Sequence, residues 1–420
     1  MKINWENLYP KMNISKNKYT YYDGSFTYND FINSSKVASR IAMSRVGWGR
    51  RAVEMRANKT QFDRFDNDTL GLNEVFNEFH GREAFNKIKD DTLICGVGFL
   101  ALAGDRVMPF TALEATGTYD WHEQNLKNGV AIFQESTKKG TNTKYSEPDS
   151  YIYFDGNEII TKDGEDTIEE TSNNPTGRPL ITMLTHKSTT HQPFGRSVIS
   201  KTSRNAIVDA SRTVRQAMIA AYHYNIKVDV ILGADNETSV DKVQAKAGDI
   251  LKVGPNENGQ IPQIGEFAQH AMAPFNDTIL TSARNFCSDT KLSLANLGIA
   301  TNAPQSPEAL EIVGDDLRDD ITEWQREMGE QLKYFAVTLW MYKNNISEID
   351  QNLRQKIDAI EVAWMPVFRT DVSKFGDGLN KIAQIAPGAL KSRSIWRNLG
   401  LTSSEIDQAI ASTSENENIL

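Results

Sequence analysis

The sequence predicts an α+β protein, with strands concentrated in the first half of the chain and helices dominating the second half. Three observations indicate this division. Short apolar runs bounded by turn residues occupy residues 93–181, helical spacing follows Arg196, and an uninterrupted apolar stripe runs from Leu310 to Leu339. At 420 residues the chain is too long for one compact core, so we expect several domains.

The strand signals begin at Leu93, where a short apolar run ending at Ala103 predicts a buried strand. Two Asp-Gly dipeptides, at 155–156 and 163–164, separate alternating apolar runs further on. Such dipeptides favour the positive φ angles of tight hairpins. We therefore predict a mainly antiparallel sheet in the first half.

The first long helix follows the segment HQPFGRSVISK at 191–201. Apolar residues from Ile199 to Ala221 recur at helical spacing and predict a helix of about 27 residues. Two short strands with a turn at 255–259 come next, and a second helix is predicted from about Pro274 to Lys291.

The strongest local signal is Ser306-Pro307-Glu308, which combines an N-cap hydroxyl, a first-turn proline and a first-turn carboxylate. The stripe that follows predicts one helix of about 35 residues, roughly 50 Å long. Shorter helices are predicted after about Asn344, and Thr402 with Glu405 matches a capping box.

The composition excludes several classes of function. A net charge of −9 argues against a protein that coats nucleic acid with a basic surface. No apolar run approaches the roughly 20 residues of a membrane span. Cys95 and Cys287 lie far apart without metal-ligand spacing. We expect a soluble protein, made inside the cell, that has no membrane partner.

We find no enzyme signature. The six histidines form no HExxH pair, GVGFLAL has no phosphate-binding lysine on a following helix, and Ser197 lacks the second glycine of a nucleophile elbow. We therefore expect no catalytic activity, no metal and no cofactor. The segment at 191–201 had three interpretations, namely a phosphate loop, a catalytic elbow and a joint between domains.

The long helix carries an acidic group with two interpretations. Its members are Asp315, Asp316, Asp319, Asp320 and Glu323. The aspartates resemble a magnesium cluster for nuclease chemistry. On a helix, however, they spread over more than a quarter of the circumference, so we favour a solvated or channel-facing surface.

A basic group lies close to one face of the first long helix: Lys201, Arg204, Arg212 and Arg215. The first interpretation is that these residues pair with neighbouring acidic helices. The second is that they contact DNA phosphates directly.

The order of elements resembles the portal (head-to-tail connector) protein of long-tailed bacteriophages of the siphovirus type, over about residues 20–410. The matching segments are YYDG, LICGVGFLAL, NPTGRPLITML, HQPFGRSVISKTSRNAIVDASRTVRQ, GQIPQIGEF and LANLGIATNAPQSPEAL. The helix GWGRRAVEMRANKTQF follows the family only loosely, and the clip is short. The resemblance implies that residues 191–201 are the joint between wing and stem.

The resemblance implies a wing at 1–195, stem helices at 196–225 and 274–292 around a clip at 226–273, and a tunnel loop at 293–306. The long, kinked helix would occupy 307–343, and a helical crown with the tail 344–420. Implied tunnel-loop residues are Leu294, Asn296, Gly298, Thr301, Asn302 and Gln305, and implied clip contacts are Asn256, Asn258 and Gln260. The acidic helix would face the channel or a neighbouring subunit.

The resemblance also implies partners and a location. About twelve copies would form a ring at one capsid vertex, with double-stranded DNA passing through it. The terminase large subunit, capsid and scaffold proteins, and later a neck adaptor protein would bind the ring. The location would be the virion, after assembly in the host cytoplasm. Two other classes stay open: another ring-forming connector, adaptor or capsid-associated scaffold protein, and a metal-dependent nuclease built on the acidic helix.

Overall fold

The structure, a computed structural model, is α+β, as predicted. It describes residues 15–29, 43–134, 148–164, 169–224, 229–232, 263–266, 271–299, 307–367 and 401–417, together with residues 384, 392, 393 and 396. These residues belong to two compact units. The first draws on Met1–Thr27, Gly47–Asn205 and Arg284–Leu420, and the second on Tyr28–Val46 and Ala206–Ala283.

The first unit begins with helices. Helix α1 covers residues 15–23, α2 is Trp48–Ala57, α3 is Leu72–Glu78 and α4 is Gly81–Cys95. Strand β1, Phe62–Asp66, lies between α2 and α3. Four phenylalanines from this region are fully or almost fully buried: Phe62, Phe65, Phe76 and Phe85. They form an aromatic core with ring centroids 5.0–6.4 Å apart.

The expected strand from Leu93 to Ala103 is wrong at its beginning. Residues 93–95 are the last turn of α4, and strand β2 is Val97–Ala103. Gly96 separates the two because its φ of +89° is left-handed, and its N–H bonds the Thr92 carbonyl at 2.8 Å. One apolar run therefore serves both elements, and a left-handed C-cap glycine is the usual way to end a helix.

The strands of the first unit form antiparallel sheets, as predicted. Strands β3 (Arg106–Phe110), β2 and β9 (Ile181–Thr185) form one sheet in that order. Five strands form another in sequence order: β4 Ala115–Asp120, β5 Asn125–Gln134, β6 Ser150–Phe154, β7 Glu158–Asp163 and β8 Glu170–Asn173. The predicted hairpin at 155–156 joins β6 to β7. The second dipeptide follows β7, where Gly164 has a φ of +98°.

Helix α7, Pro307–Lys343, confirms the predicted long helix. Its buried residues include Leu317, Ile321, Trp324, Met328, Leu332, Phe335 and Leu339, which are part of the predicted stripe. This face packs against α3 and β9 and against a strand that the sequence did not predict. Through this stripe α7 therefore contacts the three-stranded sheet, of which β9 is an edge strand.

The region after Asn344 was predicted to be helical, and this is wrong for one segment. Helix α8 is Gln351–Ala359, but Glu361–Trp364 is strand β12, antiparallel to β1. Trp364 adds its ring to the aromatic core, 6.1 Å from Phe62 and 5.7 Å from Phe85. The C-terminal helix α9, Ser403–Glu417, begins at the predicted capping box, since Glu405 Oε2 accepts from Thr402 N at 2.8 Å.

The second unit contains most of helix α5, Lys201–Tyr224, and the beginning of α6, Ala273–Thr290. Strands β10 (Asp229–Leu232) and β11 (Gln263–Glu266) form an antiparallel pair between them in the chain. Val46 N donates to Ser211 Oγ at 3.1 Å and attaches the preceding segment to α5. Across the described ranges, no helix combines the length and the apolar character needed to cross a membrane.

Candidate functional site

The beginning of α5 and the end of α6 meet at one carboxylate. Asp289 Oδ2 accepts hydrogen bonds from Ser200 Oγ at 2.5 Å and from Ser203 Oγ. Ser200 also caps α5, because its Oγ accepts from Ser203 N at 3.1 Å. The beginning of α5 and the end of α6 are thus joined to each other by hydrogen bonds within the first unit.

A short ordered turn follows α6. It contains a 3₁₀ turn at Ala295–Leu297, and Asn296 Oδ1 accepts from Ser293 N at 3.0 Å and from Ser293 Oγ at 2.8 Å. Arg51 of α2 donates from Nε to the Asn296 carbonyl at 2.8 Å. The turn therefore has a defined shape and a defined attachment to α2.

The structure describes half of the predicted tunnel loop. Leu294 and Asn296 are half-exposed in the ordered turn, and Gly298 is exposed and left-handed, with a φ of +77°. Thr301, Asn302 and Gln305 lie outside the described residues. The predicted clip contacts Asn256, Asn258 and Gln260 also lie outside them.

The expected solvent-facing position of Asp320 is wrong. Its side chain is fully buried, and three cations surround it. Arg56 Nη2 lies 2.9 Å from Oδ2, while Lys187 Nζ and Lys291 Nζ lie 2.5 and 3.2 Å from Oδ1. The physical reason is that residue 320 falls between Leu317 and Trp324, on the apolar face of α7.

The cluster at Asp320 joins distant parts of the first unit. Arg56 comes from α2, Lys187 follows β9 and Lys291 follows α6. Arg56 also donates from Nη1 to the Ala52 carbonyl at 3.1 Å and from Nη2 to the Thr290 carbonyl at 2.6 Å. Because these partners occupy the guanidinium, Arg56 holds the end of α6 against α2 and α7.

Burial and the neighbouring charges determine the protonation states of Asp320 and of the adjacent His186. Burial by itself raises the pKa of Asp320, but the positive charges of Arg56 and Lys187 outweigh it and hold that pKa well below its usual range. Burial lowers the pKa of the adjacent His186 to about 4. Asp320 is therefore ionised and His186 neutral at pH 7.

The other predicted acidic residues face solvent. Asp315, Asp316, Asp319 and Glu323 are all exposed. Asp315 pairs with Arg318 one turn further along, at 3.3 Å. Asp320 points the other way, so the four aspartates do not converge. Within the described ranges, no group of three or more His, Cys, Asp or Glu side chains is placed to hold a metal ion.

The predicted basic group does not form one exposed stripe. Lys201 is exposed, but Arg204 is half-buried and lies over the Tyr21 ring at 5.7 Å from its centroid. Arg212 pairs with Asp209 of its own helix at 3.4 Å, and Arg215 is only 3% exposed. Direct DNA contact is therefore wrong for Arg215, whose burial follows from the apolar face of α5 around it.

The segment 191–201, predicted to be a joint, contains a tightly packed turn. Gly195 is left-handed, with a φ of +67°, and a Cβ there would lie 2.3 Å from the Gly96 carbonyl oxygen. Arg196 N donates to the His186 carbonyl at 2.7 Å, and His186 Nδ1–H donates to the Arg196 carbonyl at 2.7 Å. The turn is thus locked between the end of α4 and the end of β9 immediately before α5.

Sequence reasoning missed the three cations of the cluster. Arg56, Lys187 and Lys291 come from three separate segments, and no local pattern connects them. The available signal was Asp320 itself. It interrupts an apolar stripe at helical spacing, and a carboxylate on such a face is buried only with a partner.

No protein-family model matches the chain, and no curated protein matches it. Among solved structures, it is similar to a chain in the neck of a native gene transfer agent (GTA) particle computed with C12 symmetry. The two chains are 14% identical with a TM-score of 0.47, and the match covers 90% of this chain and 97% of that chain.

Proposed function

We propose that this chain is a bacteriophage portal protein, the ring at one capsid vertex through which DNA enters and leaves. The observation that carries the proposal is the fastening of α5 to α6 at Asp289. Between these fastened ends the chain forms an antiparallel strand pair, and after α6 it forms an ordered turn and then a 37-residue helix. This order is the one expected for stem, clip, stem, tunnel loop and long helix.

In this proposal the negative charge of the chain prevents DNA from sticking. About twelve copies with a net charge of −9 each give a ring roughly a hundred negative charges, which repel the polyanion. The exposed carboxylates of α7, among them Asp316, Asp319 and Glu323, contribute to that field. This repulsion would keep the DNA from adhering to the negatively charged parts of the ring as it moves through.

The remaining parts of the proposal concern partners. The residues between α5 and α6 would dock the terminase large subunit during packaging and a neck adaptor protein afterwards. The first unit would contact capsid and scaffold proteins. The portal itself would carry no catalytic site, since the terminase would hydrolyse ATP.

A packaging assay in assembled proheads tests the proposal. Deleting residues Gly298–Asn302 should abolish or strongly reduce DNA packaging while rings still assemble. A control variant that carries five Gly/Ser residues at these positions keeps the length of the segment. It therefore distinguishes the effect of the segment's length on packaging from the effect of its side chains. If proheads with the deletion package DNA at the normal rate, this segment is not a tunnel loop.

A further inference from the structure

The cluster at Asp320 has more positive charge than its carboxylate needs. Arg56 lies 2.9 Å from Oδ2 and is almost fully buried, so its single charge already balances that of the buried carboxylate. Lys187 and Lys291 nevertheless both approach Oδ1, at 2.5 and 3.2 Å. The four side chains together carry a net charge of +2.

The two lysines are close to each other and accessible. Since both ammonium groups contact the same oxygen, their nitrogens lie within about 6 Å of each other. Their side chains are 40% and 41% exposed, whereas Asp320 is fully buried. Two like charges at this separation repel each other, and a solvated lysine has the freedom to move away.

The backbone keeps both lysines in place. Lys187 is left-handed, with a φ of +54°, and its N–H donates to Glu327 Oε2 at 2.9 Å. Lys291 is also left-handed, with a φ of +52°, and the next residue, Leu292, donates its N–H to the Cys287 carbonyl at 3.2 Å. Both lysines therefore leave the backbone at fixed points on either side of Asp320.

Glu327 is another carboxylate near this cluster. Its Oε1 accepts from Thr185 Oγ1 at 2.6 Å and from Ser188 N at 2.9 Å, in addition to the Lys187 N–H on Oε2. Those donors are neutral, so the charge of Glu327 reduces the local excess from +2 to +1. These five side chains together carry a charge of +1 in a chain whose net charge is −9.

We propose that Lys187 and Lys291 form a binding site for a phosphate group. Each ammonium has three N–H donors, and Asp320 Oδ1 can accept at most one from each, so donors on both lysines remain for a bridging phosphate. Asp320 and Arg56 act as positioning residues, because they hold the two ammonium groups but do not themselves reach solvent. The phosphate belongs either to a DNA backbone or to free phosphate.

The site follows from these charges alone and does not require a ring. If DNA is the source of the phosphate, the site deepens the proposed function, since Lys291 begins the segment that leads into the predicted tunnel loop. Failure of the site would leave the portal proposal intact. Failure of ring formation would likewise leave the phosphate site testable in the isolated subunit.

The first experiment uses fluorescence anisotropy of a labelled 30-base-pair DNA duplex with the full-length protein at about 50 mM salt. Lys187→Gln combined with Lys291→Gln should weaken binding at least tenfold. It should also reduce the dependence of log affinity on log salt by roughly 1, since the contact with one bridging phosphate is lost. Lys343→Gln is the matched control, because Lys343 is 43% exposed and pairs one-to-one with Glu78 at 2.5 Å. This control should change the affinity less than threefold.

The second experiment measures the thermal midpoint in inorganic phosphate and in chloride at equal ionic strength. Phosphate should raise the midpoint of the wild-type protein and of Lys343→Gln, but not that of the double variant. Stabilisation by phosphate without any loss of DNA affinity in the double variant assigns the site to free phosphate. If the double variant matches Lys343→Gln in both experiments, or if the wild-type protein responds to neither probe, the proposal is overturned.

Discussion

The guanidinium of Arg56 lies 2.9 Å from the carboxylate of Asp320, and both side chains are at most 3% exposed. The pair links α2 to α7, and the additional bond from Arg56 to the Thr290 carbonyl includes the end of α6. The position of the segment after α6 therefore depends on a buried ion pair.

Replacing Asp320 with Asn should lower the free energy of unfolding of the first unit by about 3–5 kcal/mol, because Arg56 would keep a buried charge without its counterion. Urea unfolding followed by tryptophan fluorescence measures the change. The exposed neighbour provides the control, since Asp319→Asn should change the free energy by less than about 0.5 kcal/mol. Equal effects of the two substitutions would mean that the pair does not stabilise the unit.

His186 should make the protein less stable as the pH falls. Its folded pKa, about 4, is lower than the usual value of 6.5, so the neutral form is favoured by the fold. That contribution is present above pH 6.5 and is lost as the pH falls towards 4. It amounts to about 3 kcal/mol.

The variant His186→Asn tests this assignment. Its amide N–H₂ replaces the Nδ1–H that donates to Arg196, but the side chain does not titrate. The variant should lose less thermal stability than the wild type between pH 6.5 and 4.5. An identical pH dependence in both proteins would assign the acid sensitivity to other groups.

Asp91 should have the opposite pH dependence. Burial raises its pKa to about 6, even though Tyr19 donates a hydrogen bond to Oδ1 at 2.7 Å. A raised pKa favours the protonated form in the fold, so this contribution is present below about pH 4 and is lost as the pH rises through 6.

Asp91→Asn should therefore stabilise the protein by about 1–3 kcal/mol at pH 8 and have little effect at pH 4, because the amide oxygen still accepts from Tyr19 without a buried charge. Thermal midpoints at the two pH values measure this. Asp23→Asn, at the exposed last residue of α1, is the control and should show no such difference. Destabilisation of the Asp91 variant at pH 8 would contradict the assignment.

Alanine substitutions at two glycines distinguish the stability cost of backbone strain from the cost of steric overlap. Gly195 and Gly104 are both left-handed, with φ values of +67° and +68°. A Cβ at Gly104 meets no atom within 4 Å, whereas one at Gly195 would lie 2.3 Å from a backbone oxygen. Gly104→Ala should cost about 1–2 kcal/mol, the usual strain of a left-handed alanine.

Gly195→Ala should cost at least about 2 kcal/mol more than Gly104→Ala, because the turn cannot stay between α4 and β9. Chemical denaturation of both variants gives the difference. Equal losses would show that the turn at 191–201 is not tightly packed. It would then be a poor joint for the helix that follows it.

Much of the fold could be predicted because its signals are local. Pro307 with the following stripe predicted α7, the Asp-Gly dipeptide at 155–156 predicted a hairpin, and Thr402 with Glu405 predicted the beginning of α9. Each of these rests on residues within a few turns of one another. Periodicity and capping are sufficient for such elements.

The rest depends on residues that are distant in sequence. Strand β12 is only four residues long and pairs with β1, which precedes it by about 300 residues. Gly96 divides one apolar run between a helix and a strand, which periodicity alone does not show. The cations around Asp320 come from three separate segments. Of the candidate site, the sequence thus indicated the segment after α6 but not the Asp320 cluster beside it.

The most direct test of the central claim is electron microscopy of the purified protein combined with its mass by light scattering. The proposal predicts rings with a central hole and a mass near twelve or thirteen times the 47.1 kDa of one chain. If the protein remains a particle of 47.1 kDa both alone and in the presence of capsid and scaffold proteins, and forms no ring in either case, the portal proposal is contradicted.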